Sequence, residues 1–377
     1  MARSYTCRER VVAALNHQQP DRTPCDITIE PAIYQQLCDA LGLKYEPYYY
    51  DDWNHAYTSP EVAEKLKVDV LHIPLKNTPA EFTMEKTEFN DAWGIKKRKI
   101  INSDGSFMYS LVDNPLADAG DISDILNYHW PLPEEIVDTS GLREEVAHLY
   151  NNTAFALTAT FGGNIFERSH YLRGMENFFV DLIDNPDIAR ALMEKIMTIE
   201  MAVDEIVFDQ IGEYLSYMRF NGEDMGSQNG PLISTVLFSE MVRPYLEKEW
   251  RRAKKIFQKY NPDGKISVHS CGSVMDFIPI FIDMGADILN PIQPNALGMD
   301  TKRIKEQFGD RLCFHGGVDS QEVLNSGSCA DVEKEVITRL RDLSPEGGYI
   351  CAPAHNIQYG TPIENILTMY ETIHAKG

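Results

Sequence analysis

Three side chains that could bind a transition metal stand in two strand-like stretches of the sequence. His269 and Cys271 are two residues apart in the stretch 265–273, so on an extended backbone both side chains leave by the same face. Cys351 lies in a second stretch, which reads as a strand followed by a loop. One imidazole and two thiolates suit Zn²⁺, and three protein ligands leave one coordination position open for a substrate. The pattern predicts a catalytic zinc site. The alternative is a hydrogen-bonded histidine and two buried thiols.

The composition is that of an ordinary globular protein and excludes several partners. Of 377 residues, 43% are apolar and 24% charged. A net charge of −22 argues against nucleic acid and anionic membranes as partners. Seven cysteines without framework spacing favour a reducing compartment, with free or metal-bound thiols. With neither a long apolar run nor a signal-like start, we expect a cytoplasmic protein without a membrane span.

Strand-like and helix-like segments alternate along most of the chain, which is typical of βαβ units and a parallel sheet. Eight such units close a (β/α)8 TIM barrel. The alternative is a doubly wound sheet, which usually has a glycine-rich turn after its first strand, where this chain has Ile29, Glu30 and Pro31. The eight predicted strands are Cys25–Ile29, Val68–Pro74, Thr153–Thr160, Tyr217–Gly222, Lys265–Ser270, Asp287–Pro291, Arg311–Gly316 and Gly348–Ala352.

We therefore expect one barrel domain over residues 1–377. It begins with an N-terminal helical segment, 1–24. The stretch 82–112 carries turn signals between β-prone residues, which predicts a β-hairpin insertion.

The barrel interpretation places the zinc candidates at the catalytic rim, where the strands end. His269 and Cys271 fall at the C-terminal end of the fifth predicted strand, and Cys351 falls at that of the eighth. The other predicted strand ends carry further polar residues, for which helix capping or loop hydrogen bonds are the alternative role. These rim residues are Asn221, Glu223, Asp224, His315, His355 and Asn356. The aromatic cluster Tyr48–Trp53 and Trp93 could cap an apolar substrate, or could simply pack.

At these residues the sequence resembles the uroporphyrinogen decarboxylase superfamily, and within it the branch of corrinoid-dependent methyltransferases. The resemblance spans nearly the whole chain and its fold is a (β/α)8 barrel. The segments that carry it are Arg8–Asn16, Pro20–Pro24, Gly222–Gln228, Pro231–Ser234, His269–Gly272, Gly285–Gln293, Gly316–Asp319, Ala354–Gln358 and Pro362–Asn365.

The resemblance implies roles for individual residues. His269, Cys271 and Cys351 would bind catalytic zinc. Glu223 would complete the coordination, with Asp224 as the substitute. Asp224, His315 or His355 would orient ligands or move a proton. Candidate substrate-binding residues are Asn221, Gln228, Asn356 and Trp93.

The implied activity moves a methyl group between a small molecule and the cobalt of a corrinoid, which a partner protein carries. The chain could also form a homodimer. A methoxylated aromatic is our first expectation for the small molecule, which would make the chain an O-demethylase component. A thiol of the coenzyme M type comes second, and a methylamine or halomethane remains open. A zinc-binding scaffold without activity is a further alternative.

A decarboxylase-like lyase is the other alternative that the superfamily offers. The decarboxylases resemble one another in an arginine-bearing loop after the first strand, which holds the substrate's carboxylates. The corresponding stretch here, 26–31, is acidic and has no arginine. Because an acidic cleft repels a polyanion, this departure counts against decarboxylation.

Overall fold

A computed structural model describes residues 4–45, 55–76, 86–102 and 107–377, so the aromatic cluster 48–53 lies outside the described residues. A parallel seven-stranded sheet forms the centre of the described chain, in the order β1-β5-β6-β9-β10-β11-β12. The strands are β1 Val70–Ile73, β2 Glu88–Asn90, β3 Lys96–Ile101, β4 Phe107–Leu111, β5 Ala156–Gly163, β6 Tyr217–Gly222, β7 Gly226–Ser227, β8 Gly230–Pro231, β9 Lys265–His269, β10 Ile288–Ile292, β11 Cys313–Val318 and β12 Tyr349–Pro353.

Helices connect these strands and cover the outside of the sheet. They are α1 Cys7–Leu15, α2 Pro31–Ala40, α3 Pro60–Leu66, α4 Ile122–Asn127, α5 Pro133–Ile136, α6 Leu142–Asn152, α7 Ile165–Arg173, α8 Met175–Asp181, α9 Pro186–Ile211, α10 Thr235–Leu237, a π-helical segment Phe238–Val242, α11 Arg243–Tyr260, α12 Ile278–Met284, α13 Thr301–Phe308, α14 Val323–Ser326, α15 Cys329–Leu343 and α16 Ile363–Lys376. No helix among the described residues is long and apolar enough to span a bilayer.

Residues 24–26 close the sheet into a barrel by joining its two edge strands. The Cys351 N–H donates to the carbonyl of Pro24 at 2.9 Å, and the Asp26 N–H donates to the carbonyl of Cys351 at 3.1 Å. On the other side, the Asp69 N–H donates to the carbonyl of Cys25 at 2.8 Å. The predicted (β/α)8 architecture is thus confirmed. Its predicted first strand is not regular, because the segment Cys25–Ile29 makes only isolated bridges.

Residues 165–211 form three successive helices, α7, α8 and α9. Gly174, at φ 84°, lies between α7 and α8. Asn185 precedes Pro186, which opens α9, and proline at the first helical position cannot extend a preceding helix.

Side chains alternate between the barrel interior and the helix layer along each strand. Helix α1 fills the N-terminal end of the barrel with Val11 and Leu15, which pack against one inward-facing layer. That layer contains Val70, Ala156, Tyr217, Ile288, Cys313 and Ile350. Cys351 is therefore on the opposite face from Ile350, in the larger core under the helices.

Within the predicted insertion, β2, β3 and β4 form a three-stranded antiparallel sheet. Trp93 follows β2 and is 2% exposed. Its ring packs edge-on against Trp130, and the guanidinium of Arg168 on α7 lies 4.5 Å from its centre. These contacts attach the insertion to the helix layer.

Candidate metal centre

The loops after β6 and β9 bring three metal-binding side chains together. His269 Nε2 lies 3.4 Å from Cys271 Sγ and 3.7 Å from an oxygen of Asp224. The same Asp224 oxygen accepts a hydrogen bond from the Cys271 N–H at 2.6 Å. Among the described residues, only these three side chains form a group of metal-binding atoms that all lie within 4.8 Å of one another.

The loop that carries Cys271 is held by close backbone packing. Gly272 has a φ of +82°, and a Cβ there would lie 2.5 Å from the backbone of Gly226 in the β7–β8 turn. The Gly272 N–H donates to Gln293 Oε1 at 2.5 Å, and the Ser273 N–H donates to the carbonyl of Ser227 at 2.9 Å. Glycine is required because both the dihedral angle and the space exclude a side chain.

The donor set fits a zinc ion. A carboxylate oxygen, an imidazole nitrogen and a thiolate are its usual ligands, and three ligands leave a fourth position open. Burial, together with the charge of Asp224, raises the pKa of the Cys271 thiol well above its usual range. A bound cation would reverse that shift, because metal ions bind the thiolate.

A chain of hydrogen bonds inside the barrel fixes the orientation of the His269 ring. Asp26 Oδ2 accepts from His315 Nε2 at 2.8 Å, and His315 Nδ1 lies 2.6 Å from the amide nitrogen of Asn290. The amide oxygen of Asn290 lies 2.7 Å from His269 Nδ1. Burial opposes the charge of Asp26, yet His72 and His315 hold its pKa well below the usual range.

The donor and the acceptor of each hydrogen bond in this chain can be assigned from two groups, Asp26 and Arg219. The Asp26 carboxylate can only accept, and burial lowers the pKa of His315, so neutral His315 donates from Nε2 and accepts at Nδ1. Arg219, which can only donate, contacts the amide oxygen of Asn290 at 2.7 Å and thereby fixes the orientation of that amide. His269 must then donate from Nδ1, which leaves the lone pair of Nε2 facing Cys271 and Asp224. Burial lowers the pKa of His269 to about 4, which keeps this ring neutral.

Two of the four predicted metal ligands do not join this group. Glu223 is 2% exposed, and its carboxylate accepts the N–H groups of Ile165 and Phe166 at 2.5 and 2.9 Å, so it caps the N-terminus of α7. Its neighbour Asp224, predicted as the substitute, is the acid that meets His269. Cys351 faces the helix layer instead of the barrel interior, because the alternation along β12 turns Ile350 inward.

The remaining predicted residues lie in different places. His315 is buried in the barrel, and the exposed His355 lies at the rim, close enough to His269 and Asp224 for their charges to interact. Asn221 donates to the carbonyl of Gly162 at 2.8 Å on the neighbouring strand.

Three candidate substrate-binding residues lie away from these contacts. Gln228 is exposed in the β7–β8 turn and donates to Gln321 at 3.2 Å. Asn356, half-buried, follows His355 in the loop after β12. Trp93 is enclosed by Trp130 and Arg168, so its ring is not offered to a substrate.

Glu167 is a site residue that the sequence reasoning missed. One of its oxygens accepts the Asp224 N–H at 3.2 Å, and the other accepts the Tyr171 hydroxyl at 3.1 Å. Burial, and then the charge of Asp224, raises the pKa of Glu167 to about 7. Its signal in the sequence was its place in the first turn of the helix after the third predicted strand. Asn290 and Arg219 were missed as well, since each lies inside a predicted strand.

Fold and site together define a (β/α)8 barrel with a candidate metal centre at its C-terminal rim. The chain belongs to the uroporphyrinogen decarboxylase family, whose model, described as "Uroporphyrinogen decarboxylase (URO-D)", matches residues 133–376. No curated protein sequence matches the chain significantly.

Solved structures agree with the barrel. A methyltransferase from Methanosarcina mazei is 17% identical, covers 99% of both chains and superposes with a TM-score of 0.69. At this identity the similarity establishes a shared fold. A psychrophilic family 10 endo-β-1,4-xylanase (7% identity, 64% of this chain and 83% of that one, TM-score 0.35) and a cyclomaltodextrinase (9%, 84% and 54%, 0.39) are too dissimilar to bear on function.

Proposed function

We propose that the protein is a zinc-dependent methyltransferase that moves a methyl group between a methoxylated aromatic and the cobalt of a corrinoid carried by a partner protein. The observation that carries the proposal is the group Asp224, His269 and Cys271, three mutually close donors of the types that zinc prefers. Its place at the strand ends of a barrel is where enzymes with this fold have their active sites.

The zinc ion would act as a Lewis acid on the heteroatom that bears the methyl group. The chain's own residues would orient the metal ligand His269 and supply a proton. Asn290 orients His269 so that Nε2 faces Cys271 and Asp224, the side chains that would hold the ion. Glu167, with a pKa raised to about 7, would give a proton to the heteroatom as it loses the methyl group, and His355 at the rim is the other candidate for this role.

The first experiment measures bound zinc per chain in protein purified without chelators. We expect about one zinc in the native protein and none in Cys271→Ala. Cys351→Ala is the matched control, because its thiol faces the helix layer, and it should keep its zinc. Zinc in Cys271→Ala at the native level would contradict the proposal.

The second experiment follows methyl transfer from a methoxyarene to reduced cobalamin. We expect transfer by the zinc-loaded protein and none by Cys271→Ala. Transfer to a thiol alone would replace the proposed substrate with a coenzyme M-type thiol. Zinc and corrinoid-protein binding without any transfer would indicate a scaffold, and carbon dioxide release without zinc would indicate a lyase.

A further inference from the structure

Arg219 is a cation inside the barrel, directly beside the candidate metal centre. It lies on β6, opposite Ser267 on β9 in the parallel register. One of its terminal nitrogens donates to Asn290 Oδ1 at 2.7 Å and lies 3.3 Å from His269 Nδ1. Because His269 Nδ1 also carries a proton, the second contact marks proximity and adds no hydrogen bond.

The charge of Arg219 is not matched by an acid. No carboxylate of the described residues forms an ion pair with it, and both of its hydrogen-bonding neighbours are neutral. Three more deeply buried arginines each have an acid as partner: Arg10 pairs with Asp69 at 2.6 Å, Arg173 with Asp181 at 2.6 Å and Arg168 with Glu200 at 3.4 Å. A half-buried guanidinium without a counter-ion is unfavourable unless a ligand supplies the negative charge.

A neighbouring polar side chain, Ser267, lacks a hydrogen-bond partner among the described residues. The hydroxyl of Ser267, in a residue only 1% exposed, has no hydrogen-bond partner. The Nε of Arg219 is likewise buried and unpartnered. Ser267 and His269 are two residues apart on β9, so both face the interior. A guanidinium and a hydroxyl on paired positions of neighbouring strands can both donate to one carboxylate or sulfonate.

We propose that Arg219 and Ser267 bind an anionic group of the substrate, a carboxylate or a sulfonate on the molecule that carries the methyl group. This inference rests on the proposed function and narrows its substrate class. Arg219 lies at the Nδ1 edge of the His269 ring, and the metal donors lie at the Nε2 edge. An anionic group at Arg219 and a heteroatom at the metal donors would therefore lie on opposite edges of the same imidazole ring.

The site also explains how an acidic protein would admit an anion. The chain carries a net charge of −22, and Asp224 and Glu167 lie at the rim. A single unpaired guanidinium in a low-dielectric interior gives a strong local attraction for one anionic group. A neutral methoxyarene would leave this charge uncompensated, so the site should select for the anionic substrate.

The experiment compares three probes by calorimetry on the zinc-loaded protein: 4-methoxybenzoate, 4-methoxybenzenesulfonate and neutral methoxybenzene. In the native protein we expect at least one anionic probe to bind tenfold or more tightly than methoxybenzene. The anion that binds identifies whether the group is an aromatic carboxylate or a sulfonate. Equal binding of all three probes would overturn the inference without any variant.

The variants are Arg219→Gln and Arg219→Lys, with Arg190→Gln on the exposed surface of α9 as the matched control. Arg219→Gln should weaken the anionic probe at least tenfold, Arg219→Lys should weaken it less, and Arg190→Gln should leave it unchanged. Zinc content is measured in each variant, because Arg219 also contacts Asn290. Anion binding that is unaffected in zinc-replete Arg219→Gln would overturn the site.

The binding assay separates this inference from the proposed function. Arg219-dependent anion binding by a protein that transfers no methyl group would refute the function and leave the anion site standing. Methyl transfer from neutral methoxybenzene at the same rate as from methoxybenzoate would support the proposed function and refute selection for an anionic substrate.

Discussion

Buried carboxyl groups in two regions of this protein have opposite surroundings. Inside the barrel, Asp26 is 0% exposed, and its Oδ2 lies 2.8 Å from both His72 Nε2 and His315 Nε2. Between β5 and the helices α9 and α11, the carboxyl groups of Glu200, Asp204 and Glu249 are at most 2% exposed. Here neither oxygen of Asp204 has a partner, and one oxygen of Glu249 has none.

The difference shows that donors, more than burial, decide the charge of a buried acid. Two imidazoles hold the pKa of Asp26 low despite its burial. Burial raises the pKa of Glu200 to about 7, even though Arg168 lies 3.4 Å away, and it also raises those of Asp204 and Glu249. Asp26 is therefore ionised at neutral pH, whereas burial favours the protonated forms of the three outer acids.

The largest expected effect is the loss of stability on removing the charge of Asp26. Asp26→Asn leaves two histidines without a charged acceptor, so we expect a loss of about 3 kcal/mol in the free energy of unfolding. Urea denaturation measures this, with the exposed Asp310→Asn as control. Since the pKa of Asp26 is depressed, its stabilisation is present at neutral pH and lost as the pH falls through the acid range. A variant as stable as the native protein would show that the imidazoles are not held by the charge.

The second-largest expected effect is a loss of zinc affinity. Asn290→Ala removes the acceptor that orients His269, so zinc affinity should fall about 10- to 100-fold. Competition with a chromophoric chelator measures the affinity, and Asn221→Ala, whose amide contacts Gly162, is the control. In metal-free protein, ¹⁵N NMR of His269 should show that the tautomer with a proton on Nδ1 loses its dominance. If the Nδ1-protonated tautomer of His269 stayed dominant in Asn290→Ala, the donors and acceptors assigned between Asp26 and His269 would be wrong.

A smaller effect concerns the pH dependence of the outer cluster. Because the pKa of Glu200 is raised from 4.5 to about 7, the folded state binds more protons than the unfolded state between these values. Stability therefore falls as the pH rises through this window. Glu200→Gln should shrink the stability difference between pH 5 and pH 8 by about 2 kcal/mol. Urea unfolding at both values tests this, with exposed Glu205→Gln as control.

The smallest effect is expected for an exposed ion pair. Lys248 and Glu194 lie 3.4 Å apart with more than half of each side chain exposed. Replacing both with alanine should change the free energy of unfolding by less than about 1 kcal/mol. A larger loss by denaturation would mean that exposure is a poor guide to the energetics of ion pairs in this chain.

The sequence predicted the barrel because its strands are buried on both faces and separated by amphipathic helices, a pattern that is local. The proximity of His269 and Cys271 was also predictable, because only one residue separates them at the end of β9. The other members of the candidate site depend on longer-range geometry. Glu223 and Asp224 are adjacent in sequence, and only the contact with the N-terminus of α7 decides which of them reaches His269.

The side of β12 on which Cys351 lies could not be predicted for a related reason. The alternation along a strand is visible in the sequence, but which of the two faces turns inward depends on the register with neighbouring strands. Cys351 pairs with Gly316 on β11 and bridges Cys25 on the other side. The importance of Asn290 and Arg219 arises in the same way, from contacts across four strands of the barrel.

The closure of the barrel by residues 24–26 links the candidate metal centre to the dynamics of the fold. Asp26, where the hydrogen-bond chain to His269 begins, lies on this short seam and not on a regular strand. Cys25 and Asp26 are fully buried and hydrogen-bonded to both edge strands, so the seam should open only together with the barrel around it. Each opening of the seam would withdraw the carboxylate from His315 and release the His269 ring from its fixed tautomer. Amide hydrogen exchange at Asp26 and Cys351 would then follow the same opening that governs the rate of zinc release.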